Sequence, residues 1–271
     1  ITINGGVYER ALTFNKYSSG NSGEKGTPLS VTINGGTFKS SITAYRCYYL
    51  TINGGTFDSF SGYTAYQTST CKSFYYGGRY KSTLTTSSGS SRAFYYGSVD
   101  IKSATNANYY YIDADGYYVL TKGASYLPAD YEALAGGYRY LDANVAIAKT
   151  SSGTVQLSAG VAATQDKSFS SGTLTLDATA EGASYSGNIT LSGNYAKFVV
   201  MMSSEGSFTG DVTTTASKKQ LHVDRTESAG VITYTYSSTG VVTEANAEVK
   251  VGDKYYVSIY DAFYDLDGNT E

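Results

Sequence analysis

Few side chains in this sequence are of the kinds that do acid–base or metal chemistry at neutral pH. The single histidine, His222, stands in KQLHVDR between Leu221 and Val223. Alternation along a strand is expected to turn it outward, which makes a catalytic role a minor candidate. The stretch DADG places Asp113 and Asp115 at i and i+2, on one side of an extended backbone, which is how a calcium site begins. DLDGNTE, from Asp265 to Glu271, has a comparable pattern. Both lack the further oxygen ligands of a full calcium loop, and Asp-x-Asp-Gly is also ordinary turn chemistry. The expectation is therefore no metal and no cofactor, with Asp113 and Asp115 as the weak calcium candidates.

Tyrosine is the abundant reactive surface, at 29 residues. It clusters at Tyr48-Tyr49, Tyr75-Tyr76, Tyr95-Tyr96, Tyr109 to Tyr111 and Tyr117-Tyr118, and in an extended strand one member of each pair faces out. Tyr49, Tyr76, Tyr96, Tyr110 and Tyr118 would then form a strip suited to stacking on sugar rings or to packing against another subunit. The alternative is a tyrosine ladder that only stabilises adjacent rungs. Cys47 and Cys71 precede comparable glycine pairs by similar distances, so a disulfide is geometrically reasonable. Closing that loop would stabilise by about 3 kcal/mol in an oxidising setting. Stacked free thiols are the other reading.

The elements that position these residues are spelled by a repeat. TINGG occurs at Thr2 to Gly6, Thr32 to Gly36 and Thr51 to Gly55, with weaker echoes in FYYGGRY (Phe74 to Tyr80), FYYGSVD (Phe94 to Asp100), IDADGYYV (Ile112 to Val119) and LAGGYRY (Leu134 to Tyr140). A period of about 20 residues signals a solenoid. Ile3, Ile33 and Ile52 alternate with polar neighbours and should stack inside, while Asn4, Asn34 and Asn53 form an amide ladder at a corner. The two glycines that follow supply positive φ for a sharp turn into the next strand. Residues 9–30, rich in Gly and Ser, read as a loop leaving the coil, either a binding excursion or a solvated connection.

Composition narrows the function classes. Twenty basic against 23 acidic residues give a net charge of -3, which supplies no field to attract nucleic acid or an anionic membrane, and neither is expected as a partner. The longest apolar run, Phe198 to Met202, is far short of the roughly 20 residues that span a bilayer, so no membrane insertion is expected. The sequence opens inside a TINGG strand and is read as a piece of a longer precursor.

Strands ending in Ile-Asn-Gly-Gly-Thr-Phe resemble the right-handed parallel β-helix repeats of large surface proteins of Gram-positive gut bacteria, an architecture like that of pectate lyases. Clear matches cover residues 1 to about 60, and degenerate echoes reach about 140. The resemblance implies an all-β parallel β-helix over 1–148, further rungs or an appended β-sandwich over 149–246, and a cap-like strand and helix over 247–271 that starts or docks to a next module. Ser258 would N-cap that helix with Asp261 three residues on, and Ile259, Ala262, Phe263 and Leu266 would make one apolar stripe. Hydrolases of this architecture share an Asn-x-Asp, a paired Asp-Asp, a Gly-His and an Arg-x-Lys on neighbouring rungs; the first three are absent and the one Arg-x-Lys, Arg79 to Lys81, stands without them, so the set does not occur in this sequence. The implied function is a non-enzymatic extracellular or cell-surface fibre, stalk or adhesin. Self-assembly would run head to tail through Ile1 and Ile3 at one end and Ile259 and Phe263 at the other. The alternative is a β-helix that binds surface glycans or cleaves them as a polysaccharide lyase.

Overall fold

The computed structural model describes residues 1–15, 29–45, 47–60, 72–84, 93–96, 99–100, 107–215, 221–238 and 247–267. The chain is a parallel β-solenoid in two compact units, Ile1–Ala129 and Asp130–Glu271. That division precedes the boundary expected between 148 and 149.

In the first unit the repeat winds around three faces. Thr2–Ile3, Leu29–Ile33, Cys47–Ile52, Lys72–Tyr75 and Ala93–Tyr96 stack in parallel on one face, and Val7–Tyr8, Thr37–Phe38, Thr56–Phe57 and Arg79–Tyr80 on the second. Leu12–Asn15 pairs with Ile42–Tyr45 on the third. Register aligns Ile3, Ile33, Ile52 and Tyr75, and the last three are fully buried. On the second face Tyr8, Phe38, Phe57 and Tyr80 form a continuous column, with ring centroids 4.8, 5.0 and 5.0 Å apart and planes within 9°. A repeat that returns one ring per rung at the inter-strand spacing necessarily stacks them.

The Gly-Gly corner divides its labour. Only the second glycine has positive φ, at Gly6, Gly36, Gly55 and Gly78. The first lies against the preceding rung: a Cβ at Gly54 would stand 3.0 Å from the Asn34 carbonyl oxygen, and one at Gly77 2.8 Å from that of Asn53.

Three echoes of the repeat turn back antiparallel, which corrects the reading of the last two as rungs, while the first keeps its parallel strand Ala93–Tyr96. Tyr95 and Tyr96 pair with Asp100 and Val99, Tyr110–Ile112 pairs with Tyr118–Leu120, and Ala133–Ala135 pairs with Tyr138–Tyr140. Gly136 and Gly137 both have positive φ, the geometry of a tight hairpin, and Gly116 ends the Asp113 turn. In the rung motif the first glycine is outside the positive-φ region.

The second unit resumes parallel stacking. Gly153–Leu157, Lys167–Ala178 and Ile189–Met202 stack on one face, and Ala162–Ala163, Ser184–Tyr185 and Ser207–Phe208 on another. The parallel pairings of this unit run from Gly153–Leu157 to Val212–Thr214. The antiparallel hairpin Leu221–Ser228/Val231–Ser238 is added to Ile189–Met202. A helix, Ala143–Lys149, is capped by Asp142, whose carboxylate accepts the amides of Asn144 and Val145. The hairpin Val249–Val251/Lys254–Tyr256 and the helix Ile259–Asp267 close the described chain.

Candidate functional site

The first rung carries the clearest directional geometry. Each rung donates amide hydrogens to carbonyls of the rung before it. Asn34, Thr37 and Lys39 donate to Ile3, Gly6 and Tyr8 at 2.7, 2.8 and 3.0 Å, and Asn53, Thr56 and Asp58 donate to Ile33, Gly36 and Phe38 at 2.7, 2.8 and 2.9 Å. Tyr76, Arg79 and Lys81 repeat the pattern toward Ile52, Gly55 and Phe57. The same phase directs the amides of Asn4, Val7 and Glu9 out of the first rung, away from the second. Among the described residues the first-rung strands are sheet edges, and Ile1 and Val7 are 59% and 63% exposed. An unpaired row of this kind is a template for another strand.

The corner ladder runs into this edge. Asn34 Nδ2 donates to Asn4 Oδ1 and Asn53 Nδ2 to Asn34 Oδ1, both at 2.7 Å. Tyr76 takes the next corner position, so the ladder holds three amides. Asn4 Oδ1 accepts from Asn34, which leaves its amide nitrogen on the side of the outward backbone amides.

The tyrosine strip is shorter than expected. Tyr49 and Tyr76 are exposed and flank Phe74, with centroids 5.9 and 6.5 Å away. Tyr110 is fully buried and Tyr118 is half-buried against it, edge to face at 6.2 Å, because their hairpin packs across the solenoid end of the first unit. Register aligns Tyr95, not Tyr96, with Phe74. The Tyr96 side chain, the Cys47 side chain, Cys71 and residues 16–28 of the long loop lie outside the described residues.

Asp113 and Asp115 converge on a cation of the protein itself. Arg79 Nε donates to Asp113 Oδ2 at 2.7 Å and Nη2 to Asp115 Oδ2 at 2.6 Å, while Asp113 Oδ1 accepts the amides of Asp115 and Tyr117. The Tyr117 ring lies beneath Lys81 Nζ at 3.8 Å and Arg79 Cζ at 4.7 Å, and its hydroxyl donates to Asp58 at 2.5 Å. The hydrogen bond to Asp58, with lesser desolvation, pushes the Tyr117 hydroxyl up to about 12. Arg79 rises too, chiefly through Asp113. The arrangement fastens the hairpin to the rung of Arg79 and pairs both carboxylates with a cation of the protein itself. Among the described residues no cluster of three or more His, Cys, Asp or Glu side chains could hold a metal ion. Sequence reading passed over Arg79, Lys81 and Asp58 and took Tyr117 only as the neighbour of Tyr118, and the one signal was the i and i+2 spacing of Arg79 and Lys81.

His222 does not point freely outward. Its Nδ1 lies 3.0 Å from Asp261 Oδ2 and its Nε2 3.1 Å from Asp224 Oδ1, and Asp261 Oδ1 accepts the Val223 amide at 2.6 Å. Burial acts to lower the imidazole, but the hydrogen bonds and charges of Asp261 and Asp224 outweigh it and raise it. Both ring nitrogens therefore face carboxylates.

Asp261 belongs to the Ile259–Asp267 helix. Its amide donates to Ser258 Oγ at 3.2 Å, an N-cap contact, while its own carboxylate reaches the neighbouring strand. The cap-like segment thus packs on Leu221–Ser228 of its own unit, with Asp261 4% and Ala262 3% exposed. The rest of the expected stripe faces solvent, Ile259 at 50%, Phe263 at 55% and Leu266 at 41%.

A second corner system in the second unit carried no motif. Asn188 donates its amide to Asp166 Oδ1 at 2.7 Å and accepts the Asp211 amide on its own Oδ1 at 3.0 Å. The sequence conceals it because the three residues are not of one type and the side-chain oxygens accept backbone amides, unlike the side-chain ladder of the first unit.

Compared with known proteins, the chain matches no family model, no curated protein and no solved structure.

Proposed function

We propose that this chain is a structural β-solenoid, an extracellular or cell-surface rod element that lengthens by addition of further rungs at the edge formed by Thr2–Ile3 and Val7–Tyr8. The supporting observation is the outward phase of the Asn4, Val7 and Glu9 amides beside the exposed Val7, at the head of an amide ladder that accepts one more member. A rung supplied by the same polypeptide or by another copy satisfies the same groups, and a contact between unlike ends does not close on itself. The bacterial-surface setting follows from the repeat's resemblance alone.

Electron microscopy over a concentration series tests assembly between copies. Rods of increasing length, shortened by Val7→Pro, which deletes an outward amide, support this reading. Discrete particles of one length at every concentration, unchanged by Val7→Pro, overturn it.

A second reading rests on the Tyr49, Phe74 and Tyr76 patch, whose adjoining rings suit the apolar face of a sugar. Loss of glycan binding in Tyr76→Ala supports that role, and absence of binding in the parent protein removes it.

A further inference from the structure

The strand Leu221–Ser228 pairs with Val231–Ser238 on one side and is the edge of its sheet among the described residues. Antiparallel pairing directs alternate amides to opposite sides of a strand. Val223 sends its amide to Asp261, so the outward set is Leu221, Val223, Arg225 and Glu227, and the inward set is His222, Asp224, Thr226 and Ser228. Eight residues of edge backbone would otherwise invite strand addition.

The orientation of the covering helix is opposite to what apolar burial alone dictates. Ile259, Phe263 and Leu266 form its apolar stripe, and burying them would direct the Asp261 side to water. Instead the stripe faces solvent and the carboxylate lies inside, on the edge amide and on His222 Nδ1. Asp265 steadies the same arrangement, accepting from Lys254 Nζ at 2.8 Å and from the Tyr256 hydroxyl at 2.5 Å. The polar contact therefore sets the helix's orientation.

We propose that the Ile259–Asp267 helix is an edge guard, which closes the Leu221–Ser228 strand to β-addition by placing the Asp261 carboxylate on the outward Val223 amide. The occupant that it excludes is a second copy of this chain, because release uncovers the same strand edge on every molecule at once. The groups facing the guard's carboxylate are His222 and the Val223 amide from the strand, Ser258 Oγ accepts the guard's backbone amide, and Asp224 faces the far side of the imidazole. The inference does not use the first-rung edge.

The test is hydrogen exchange and light scattering on Asp261→Ala and Asp261→Asn. Asp261→Ala is expected to speed exchange of the Val223 amide by about tenfold or more, since a charged acceptor is lost, and to produce concentration-dependent association. Asp261→Asn, which keeps an oxygen acceptor of the same shape, should change both less and in the same direction. Protection of the Leu176 and Val200 amides reports whether the core survives, and if Asp261→Ala loses it, Asp261→Asn decides. Adding Arg225→Pro, which removes an outward amide without touching the pairing to Tyr234, should return the variant to the parent protein's level of association. Val7→Pro should not, which separates this contact from growth at the first rung. Unchanged Val223 exchange, or faster exchange without added association, overturns the guard.

Discussion

Asn34 is the one amide of its ladder that both donates and accepts, so its removal breaks two side-chain hydrogen bonds where removal of Asn4 breaks one. Each such bond contributes about 1 kcal/mol net. Asn34→Ala should therefore lower unfolding stability by roughly twice as much as Asn4→Ala, and equal losses in urea titrations would show that the ladder adds nothing. His222 adds a pH dependence whose sign is fixed by its raised folded value. Its protonated form is favoured in the folded state, so this stabilisation is fully present below the ordinary imidazole value of about 6.5 and is lost as pH rises through the folded value. Parent protein should lose stability across that window and His222→Gln should not, and parallel pH profiles would refute the coupling.

At the level of the element, glycine separates three roles that one letter hides. A Cβ at Gly210 would stand 2.1 Å from the Gly187 carbonyl oxygen and one at Gly193 2.0 Å from that of Ser170, whereas one at Gly5 meets nothing within 4 Å. Gly210→Ala should cost about 3 kcal/mol by forcing two rungs apart, with Gly5→Ala close to neutral, as thermal unfolding would report. Ala229 is the converse case, a non-glycine at φ 51 in the turn between Leu221–Ser228 and Val231–Ser238. Ala229→Gly should stabilise by about 0.5 to 1 kcal/mol, and no gain would mean that the turn carries no strain. These elements also show what the sequence made legible. The TINGG copies revealed the parallel rungs because Ile, Asn and Gly there answer to a neighbour in the adjacent rung at a fixed phase. YGGRY at Tyr76 to Tyr80 forms a rung and AGGYRY at Ala135 to Tyr140 a hairpin, although both contain Gly-Gly and a following Arg. The backbone conformation of the first glycine separates them, and composition does not encode it. The Arg79 and Asp113 contact and the His222 and Asp261 contact join residues far apart in the chain, so pairing had to be seen in space.

At the scale of the whole molecule, the direction of the amides gives the first unit a polarity. Every corner amide from Asn34 to Lys81 points toward the first rung, and at the other end Leu120 donates to the Gly78 carbonyl at 3.0 Å, closing that side with a hairpin. Nearest-neighbour stacking then predicts a gradient of local stability, since an outer rung loses one interface to open and an inner rung two. In dilute protein, the Asn4, Val7 and Glu9 amides should exchange fastest. Asn34, Thr37 and Lys39 should follow, and Asn53, Thr56 and Arg79 should be slowest. The same experiment on concentrated material separates growth at this edge from any other association. If further rungs add there, protection of Asn4, Val7 and Glu9 rises to that of Thr37 while Arg79 hardly changes. If material that assembles keeps these three amides fast, the rod grows through another surface, and the outward amides of the first rung have no part in it.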